Sequence, residues 1–270
     1  MSSRLYAWSV PAFVSGSPVD HTWVTSYDNQ LHHYSNAAAV TAAGENCWFC
    51  WGSYHPKGGI PGNATGALGQ KQGSISLARC FVQSNADSSS TPAARGTIFV
   101  YGVDGVCHQL ANQVLYATQA PVLTVRKARG YFASTFLYGT YGRQTSAWAS
   151  KIHSCAGARA PASAKASGGV TGMQDLPDDF DQHARDVLGD DPELLARFLG
   201  LKTEVQSFVA QRIPGFLPPD AATLNARNQH LLDQAALLLG PDRFEKVFGF
   251  APGDRINLID PSVTSGRPER

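Results

Sequence analysis

The chain has 270 residues, 43% of them hydrophobic, with a net charge of +1, which is the composition of a globular protein of one large domain or two modest ones. Residues 1–165 hold 12 Lys/Arg and 5 Asp/Glu while residues 166–270 hold 10 and 16, so a basic half precedes an acidic one. The basic residues are scattered, with no compact run and no nucleic-acid motif, which argues against nucleic-acid binding; no segment approaches the ~18 apolar residues of a membrane span.

Residues 4–14 (RLYAWSVPAFV) and 22–27 (TWVTSY) are aromatic and β-branched and read as strands. Asp28-Asn29-Gln30 is a turn signal, and 31–35 reads as the returning strand. Residues 36–75 are rich in Gly, Ala, Ser and Asn around the cluster CWFCW at 47–51. Residues 75–83, 97–101, 121–127 and 131–138 (YFASTFLY) read as further strands. From Cys107 the apolar residues Leu110, Ala111, Val114 and Leu115 recur at helical spacing, so 107–118 reads as an amphipathic helix.

Residues 156–172 (AGARAPASAKASGGVTG) are too small and polar to bury much apolar area, and read as a linker. This gives an α+β domain over 1–155, the linker at 156–172, and an all-α domain over 173–270. In the latter, Asp191-Pro192 supplies an N-cap and an N1 proline. Leu194, Leu195, Phe198 and Leu199 make a stripe that Gly200 is expected to bend or interrupt. Asp220 opens a second helix that Gly240 ends, 241–248 is a third, and 258–270 is expected to be extended and frayed. The opposite charges of the two halves suggest either docking of one on the other or two separately solvated surfaces.

The N-terminus MSSRLYAWSVPAFVSGS lacks the apolar core of a secretory signal, so the expected location is cytoplasmic; leaderless secretion leaves no general mark. The five cysteines are Cys47, Cys50, Cys80, Cys107 and Cys155, an odd number that leaves at least one thiol unpaired.

Cys107 carries two readings. It is either a small buried residue beginning a core helix, or a nucleophile whose thiolate the N–H groups and dipole of a helix N-terminus favour. His21 begins one strand and His33 lies beyond the Asp28 turn, so a hairpin would bring them near one another. One would act as base and the other would orient it; a one-residue register slip puts His32 in the place of His33. The backbone N–H groups of Cys107 and His108 would serve an oxyanion. The side chains of His108, Gln109 and Asn112 read as an ordinary polar helix face, and His183 and His230 as surface residues.

The order His21, His33 (or His32), then Cys107 in VCHQLANQVL resembles the circularly permuted branch of the NlpC-type papain-like cysteine hydrolases, which includes the lecithin retinol acyltransferase-like proteins. The resemblance covers roughly residues 20–35 and 100–118. It implies a papain-like antiparallel sheet with a nucleophile helix. The implied function is a cysteine-dependent hydrolase or acyltransferase acting on an amide or ester bond through an acyl-enzyme. A small peptide or acyl substrate is implied, cell-wall peptides being the class most often associated with the family, with no cofactor. The chain departs from the pattern in its Ala/Gly-rich stretch at 36–75, its CxxC pair and the lack of a hydrophobic membrane anchor.

Cys47 and Cys50 support a different reading, a metal-binding or redox protein. A metal site there would be completed by His55, or by His153 and Cys155. A third reading is a non-enzymatic protein-binding module that uses the helical segment.

Overall fold

In a computed structural model the described residues are 4–12, 17–25, 67–72, 101–117, 123–142, 178–211 and 219–261. Their three strands are β1 (Arg4–Pro11), β2 (Asp20–Thr25) and β3 (Ala67–Gln72), antiparallel in the order β2-β1-β3. Register pairs Ala7 with Val24 and Ser9 with Thr22, and these four buried residues form one face. The first two expected strands are therefore present. These strands with the helices below make an α+β arrangement, but they do not by themselves make a papain-like sheet.

Helix α1 (Cys107–Ala117) starts at the expected residue. The turn before it is closed by the Gly102 N–H on the Gly105 carbonyl at 2.8 Å. Gly102 has φ 80°, and an added Cβ would meet Ile259 at 3.0 Å. Gln109, three residues into the helix, accepts the Val106 N–H at 3.0 Å, which satisfies one free donor of the helix start.

Residues 131–138 correct the sequence reading: they form helix α2 (Tyr131–Tyr138), not a strand. Seven of its eight residues are buried, so the segment is apolar on every side and its sequence shows no helical stripe. Gly130 and Gly139 bound it with φ of 74° and 77°, and the Ser134 and Thr135 hydroxyls face the Tyr131 carbonyl. Residues 123–125 are irregular and lead into a turn at 126–130, in place of the strand expected over 121–127.

The rest is helical: α3 (Asp179–Leu188), α4 (Pro192–Ala210), α5 (Ala221–Leu239) and α6 (Pro241–Phe248). Asp178, Asp191 and Asp220 cap the first three through their carboxylates. Helix α4 runs through Gly200 without interruption, with open space where its side chain would be. The tail has no helix or strand from Leu258 to Asp260, and residues 262–270, expected to fray, lie outside the described residues. Ile256, Leu258 and Ile259 are buried, and Asn225 holds the Ile259 N–H and carbonyl at 3.0 and 2.8 Å.

One hydrophobic core includes residues from both sides of the expected linker. Phe136 of α2 lies at its centre, 5.5 Å from Phe180, 5.7 Å from Phe198 and 5.5 Å from Phe248, ring centre to ring centre. Gln206 of α4 donates to the Thr135 and Phe136 carbonyls. The linker itself lies outside the described residues. Every ion pair among the described residues joins partners within one half: Arg129 with Asp20, Lys202 with Asp178 and Asp181, and Arg243 with Asp190 and Asp191. The described contact between the halves includes apolar packing and hydrogen bonds.

Candidate active site

Cys107 occupies the first position of α1, and strand β2 runs past it. Its sulfur lies 4.0 Å from the Asp20 carbonyl oxygen. The N–H and hydroxyl of Thr22 and the N–H of His108 also act on it. The sulfur therefore sits where three donors and the helix dipole favour an anion. The thiol is nonetheless only 6% exposed. Burial pushes it up to about 11 from its ordinary 9.0, with the Asp20 charge adding to the rise and the three donors only partly opposing it. The expected low-pKa thiolate is corrected accordingly: in this closed arrangement the group is a thiol at neutral pH.

His21 lies between Asp20 and Thr22 on β2. It pairs with Val10 in register, so strand alternation sends its side chain to the face opposite Asp20 and Thr22. The structure brings the His21 strand to Cys107, but the imidazole is not among the sulfur's partners. His32 and His33 lie outside the described residues, as do Cys47, Cys50, His55, His153 and Cys155. Among the described residues no group of three or more His, Cys, Asp or Glu could hold a metal ion. No helix among them is long and apolar enough to cross a membrane.

The polar side chains of α1 are not a solvent face. His108 is 1% exposed, and Gln109, Asn112 and Gln113 are fully buried. His108 bridges three elements, with Nε2 2.9 Å from the Asp20 carbonyl and Nδ1 2.8 Å from the Ser134 hydroxyl. A carbonyl only accepts, so Nε2 carries the proton and Nδ1 is the acceptor, an assignment made from the partners. Burial holds the ring down at about 4, against an ordinary 6.5, so it is neutral. With its Nε2 proton committed to a carbonyl, this ring has no lone pair facing Cys107 and does not serve as its base.

Gln109 Nε2 donates to Ser134 and to the Gly139 carbonyl at 3.1 and 3.2 Å. Asn112 donates to the Tyr131 hydroxyl and the Thr140 carbonyl at 2.9 and 2.7 Å, and accepts the Val125 N–H at 2.9 Å. Gln113 donates to the Tyr141 carbonyl at 2.6 Å. Tyr131 and Thr124 then donate to one Asp179 carboxylate oxygen, which links α1 to the acidic segment. These bonds fix α1 against both neighbours, so the position of Cys107 is determined by a hydrogen-bonded polar interior, in which Gln113 Oε1 has no partner among the described residues.

Sequence reasoning missed Asp20, Thr22, Arg129 and Ser134. Asp20 is clamped to the turn before α2. Its carboxylate takes the Arg129 N–H at 3.1 Å and the guanidinium at 2.8 Å, and its own N–H donates to the Arg129 carbonyl at 3.0 Å. The available signal was local: an Asp directly before a β-rich run, and an Arg-Gly pair opening a short buried segment. His183 also differs from expectation. It stacks on Phe132, 3.7 Å between ring centres, and pairs with the Val247 carbonyl at 2.9 Å, while His230 is exposed as expected. No known protein family, characterised protein or solved structure matches this chain.

Proposed function

We propose that the chain is a cysteine-dependent hydrolase or acyltransferase, papain-like in its sheet and cytoplasmic, with Cys107 as nucleophile. The observation that supports it is a cysteine sulfur at the first position of α1, beside strand β2 and 4.0 Å from the Asp20 carbonyl. In this reading the thiol proton passes to an imidazole, which the family resemblance assigns to His21, oriented by His33 or His32. The thiolate attacks the carbonyl carbon of an amide or ester. The Cys107 and His108 N–H groups receive the oxyanion. The C–N or C–O bond breaks, the leaving group takes the proton from the imidazolium, and a thioester remains. Water or an acceptor amine then releases the acyl group. Because the resting sulfur is buried and His21 is directed to the other face, substrate entry has to part the β2 edge from α1 and bring the two side chains together. A small peptide or acyl compound is the substrate class, with cell-wall peptides the first to try.

The closed, protonated thiol favours a second reading, a protein-binding module in which Cys107 is a core residue. Turnover of a panel of peptide amides and acyl esters separates the two. The hydrolase reading expects Cys107→Ala to abolish turnover and His21→Ala to reduce it by about 100-fold or more. Turnover that survives Cys107→Ala at the wild-type rate would remove it and leave the binding module ahead.

A further inference from the structure

Two hydrogen-bond donors from adjacent residues approach the same buried oxygen. The Asp20 carbonyl receives the His108 Nε2–H at 2.9 Å, while the Cys107 thiol reaches the same oxygen only at 4.0 Å, the long limit of a sulfur hydrogen bond. We propose that His108 is a positioning residue for the nucleophile: its Nε2–H occupies the Asp20 carbonyl, which would otherwise hold the thiol proton. This inference rests on the reading of Cys107 as the nucleophile.

The two donors compete for one oxygen. A buried carbonyl without a donor is costly, so if the imidazole is removed the nearest remaining donor, the thiol, is drawn in. A thiol that donates to a carbonyl is harder to ionise, and the bare oxygen dipole beside the sulfur disfavours a thiolate further. With His108 present the carbonyl is satisfied and its dipole is partly neutralised.

The imidazole is well held for this role. With Nε2 on the Asp20 carbonyl, Nδ1 accepts from the Ser134 hydroxyl, whose oxygen Gln109 holds at 3.1 Å. Tyr131 packs against the ring at 5.8 Å. The oxygen is held as well, since Asp20 is tied to Arg129 through its backbone and its carboxylate.

The titratable and charged groups around the pair are Asp20 and His21 on β2, Arg129 on the turn, Tyr101 ahead of α1 and Tyr131 on α2. Arg129 engages the Asp20 charge. Burial raises both tyrosines well above 10, so they stay neutral over the range in which the thiol is probed.

The test is alkylation of Cys107 by iodoacetamide in the full chain across a pH series, read on its own peptide by mass spectrometry. The wild type is compared with His108→Ala and His108→Gln. Loss of one net hydrogen bond corresponds to about a five-fold slower reaction at neutral pH in His108→Ala, with the profile moved to higher pH. His108→Gln keeps an N–H at the end of the side chain and restores the wild-type rate to within about two-fold. Labelling of His108→Ala at the wild-type rate or faster overturns the proposal, as does an equal shift in both variants.

If the alanine variant does not fold, the 15N spectrum of the wild-type imidazole decides: protonated Nε2 is required, and protonated Nδ1 overturns the proposal. Failure here is separable from failure of the hydrolase reading. Unaltered labelling with turnover lost in Cys107→Ala removes only the role of His108. The expected labelling with turnover kept in Cys107→Ala removes only the nucleophile.

Discussion

Acidification should destabilise the fold through His108 by about 3 kcal/mol, the free energy of holding a ring at about 4 that would otherwise titrate at 6.5. The ring is 1% exposed and both nitrogens are engaged, so solvent does not screen the penalty. The sign follows from proton binding. Between 6.5 and about 4 the unfolded chain takes up a proton that the folded chain refuses. Stability from this group is therefore complete above 6.5 and is lost as pH falls through about 4. Carboxylates titrate in part of the same window, so the contribution has to be isolated by difference. His108→Gln keeps a donor for Asp20 but does not titrate. Urea denaturation of both proteins at neutral pH and at about pH 4 gives two changes in unfolding free energy. The wild type should lose about 3 kcal/mol more than His108→Gln. Parallel losses in the two proteins would show that the ring is solvated or already charged in the native state, and the buried bridge between α1, β2 and α2 would have to be given up.

The alkaline limb should carry the opposite signature. Because burial raises the Cys107 thiol from 9.0 to about 11, stability from the neutral thiol is complete below 9.0 and is lost as pH rises through about 11. Cys107→Ala should flatten that part of the pH–stability curve by about 3 kcal/mol relative to wild type, and an unchanged alkaline slope would contradict the closed site. Phe136→Ala should cost about 3–5 kcal/mol by urea denaturation, in a single transition that covers both halves, because the ring is fully buried among Phe180, Phe198 and Phe248. Two resolved transitions with only one displaced would show separate domains after all. Gly130→Ala should lower stability by roughly 1–3 kcal/mol, since φ is 74° and the new Cβ would lie 2.5 Å from a Val19 methyl carbon. A thermally neutral Gly130→Ala would mean that the turn holding Arg129 to Asp20 is not built this way.

How much of this was legible in the sequence depended on how local the determinant is. The starts of α4, α5 and α6 could be read from Asp191-Pro192, Asp220 and Gly240-Pro241, because capping and proline act within one turn. The start of α1 at Cys107 could be read from periodicity, and strands over 4–14 and 22–27 from aromatic and β-branched composition, although the structure places them at 4–11 and 20–25. Helix α2 could not, because a segment buried on all sides loses the stripe that marks a helix, and its aromatic and β-branched composition imitates a strand. The polar side chains of α1 were misread for a related reason. His108, Gln109, Asn112 and Gln113 recur at helical spacing whether they face water or a hydrogen-bonded interior, and only the partners distinguish the two. The shared core was hidden because an apolar stripe does not identify what covers it: Phe198 and Phe248 pack on Phe136, from the other side of the linker. At the site, only the family resemblance implied that the strand of His21 lies beside Cys107. The neighbours that hold it there, Asp20, Thr22 and Ser134, follow only from the packing of α1.

The central claim, that Cys107 forms a covalent acyl intermediate, is tested most directly by mass spectrometry of the intact chain during reaction with an activated acyl ester, followed by peptide mapping. The account predicts one added acyl group per chain, located on the 107 thiol, appearing faster than it is released and absent in Cys107→Ala. Turnover with no acylated species, or with the acyl group on another residue while Cys107 stays free, would contradict it.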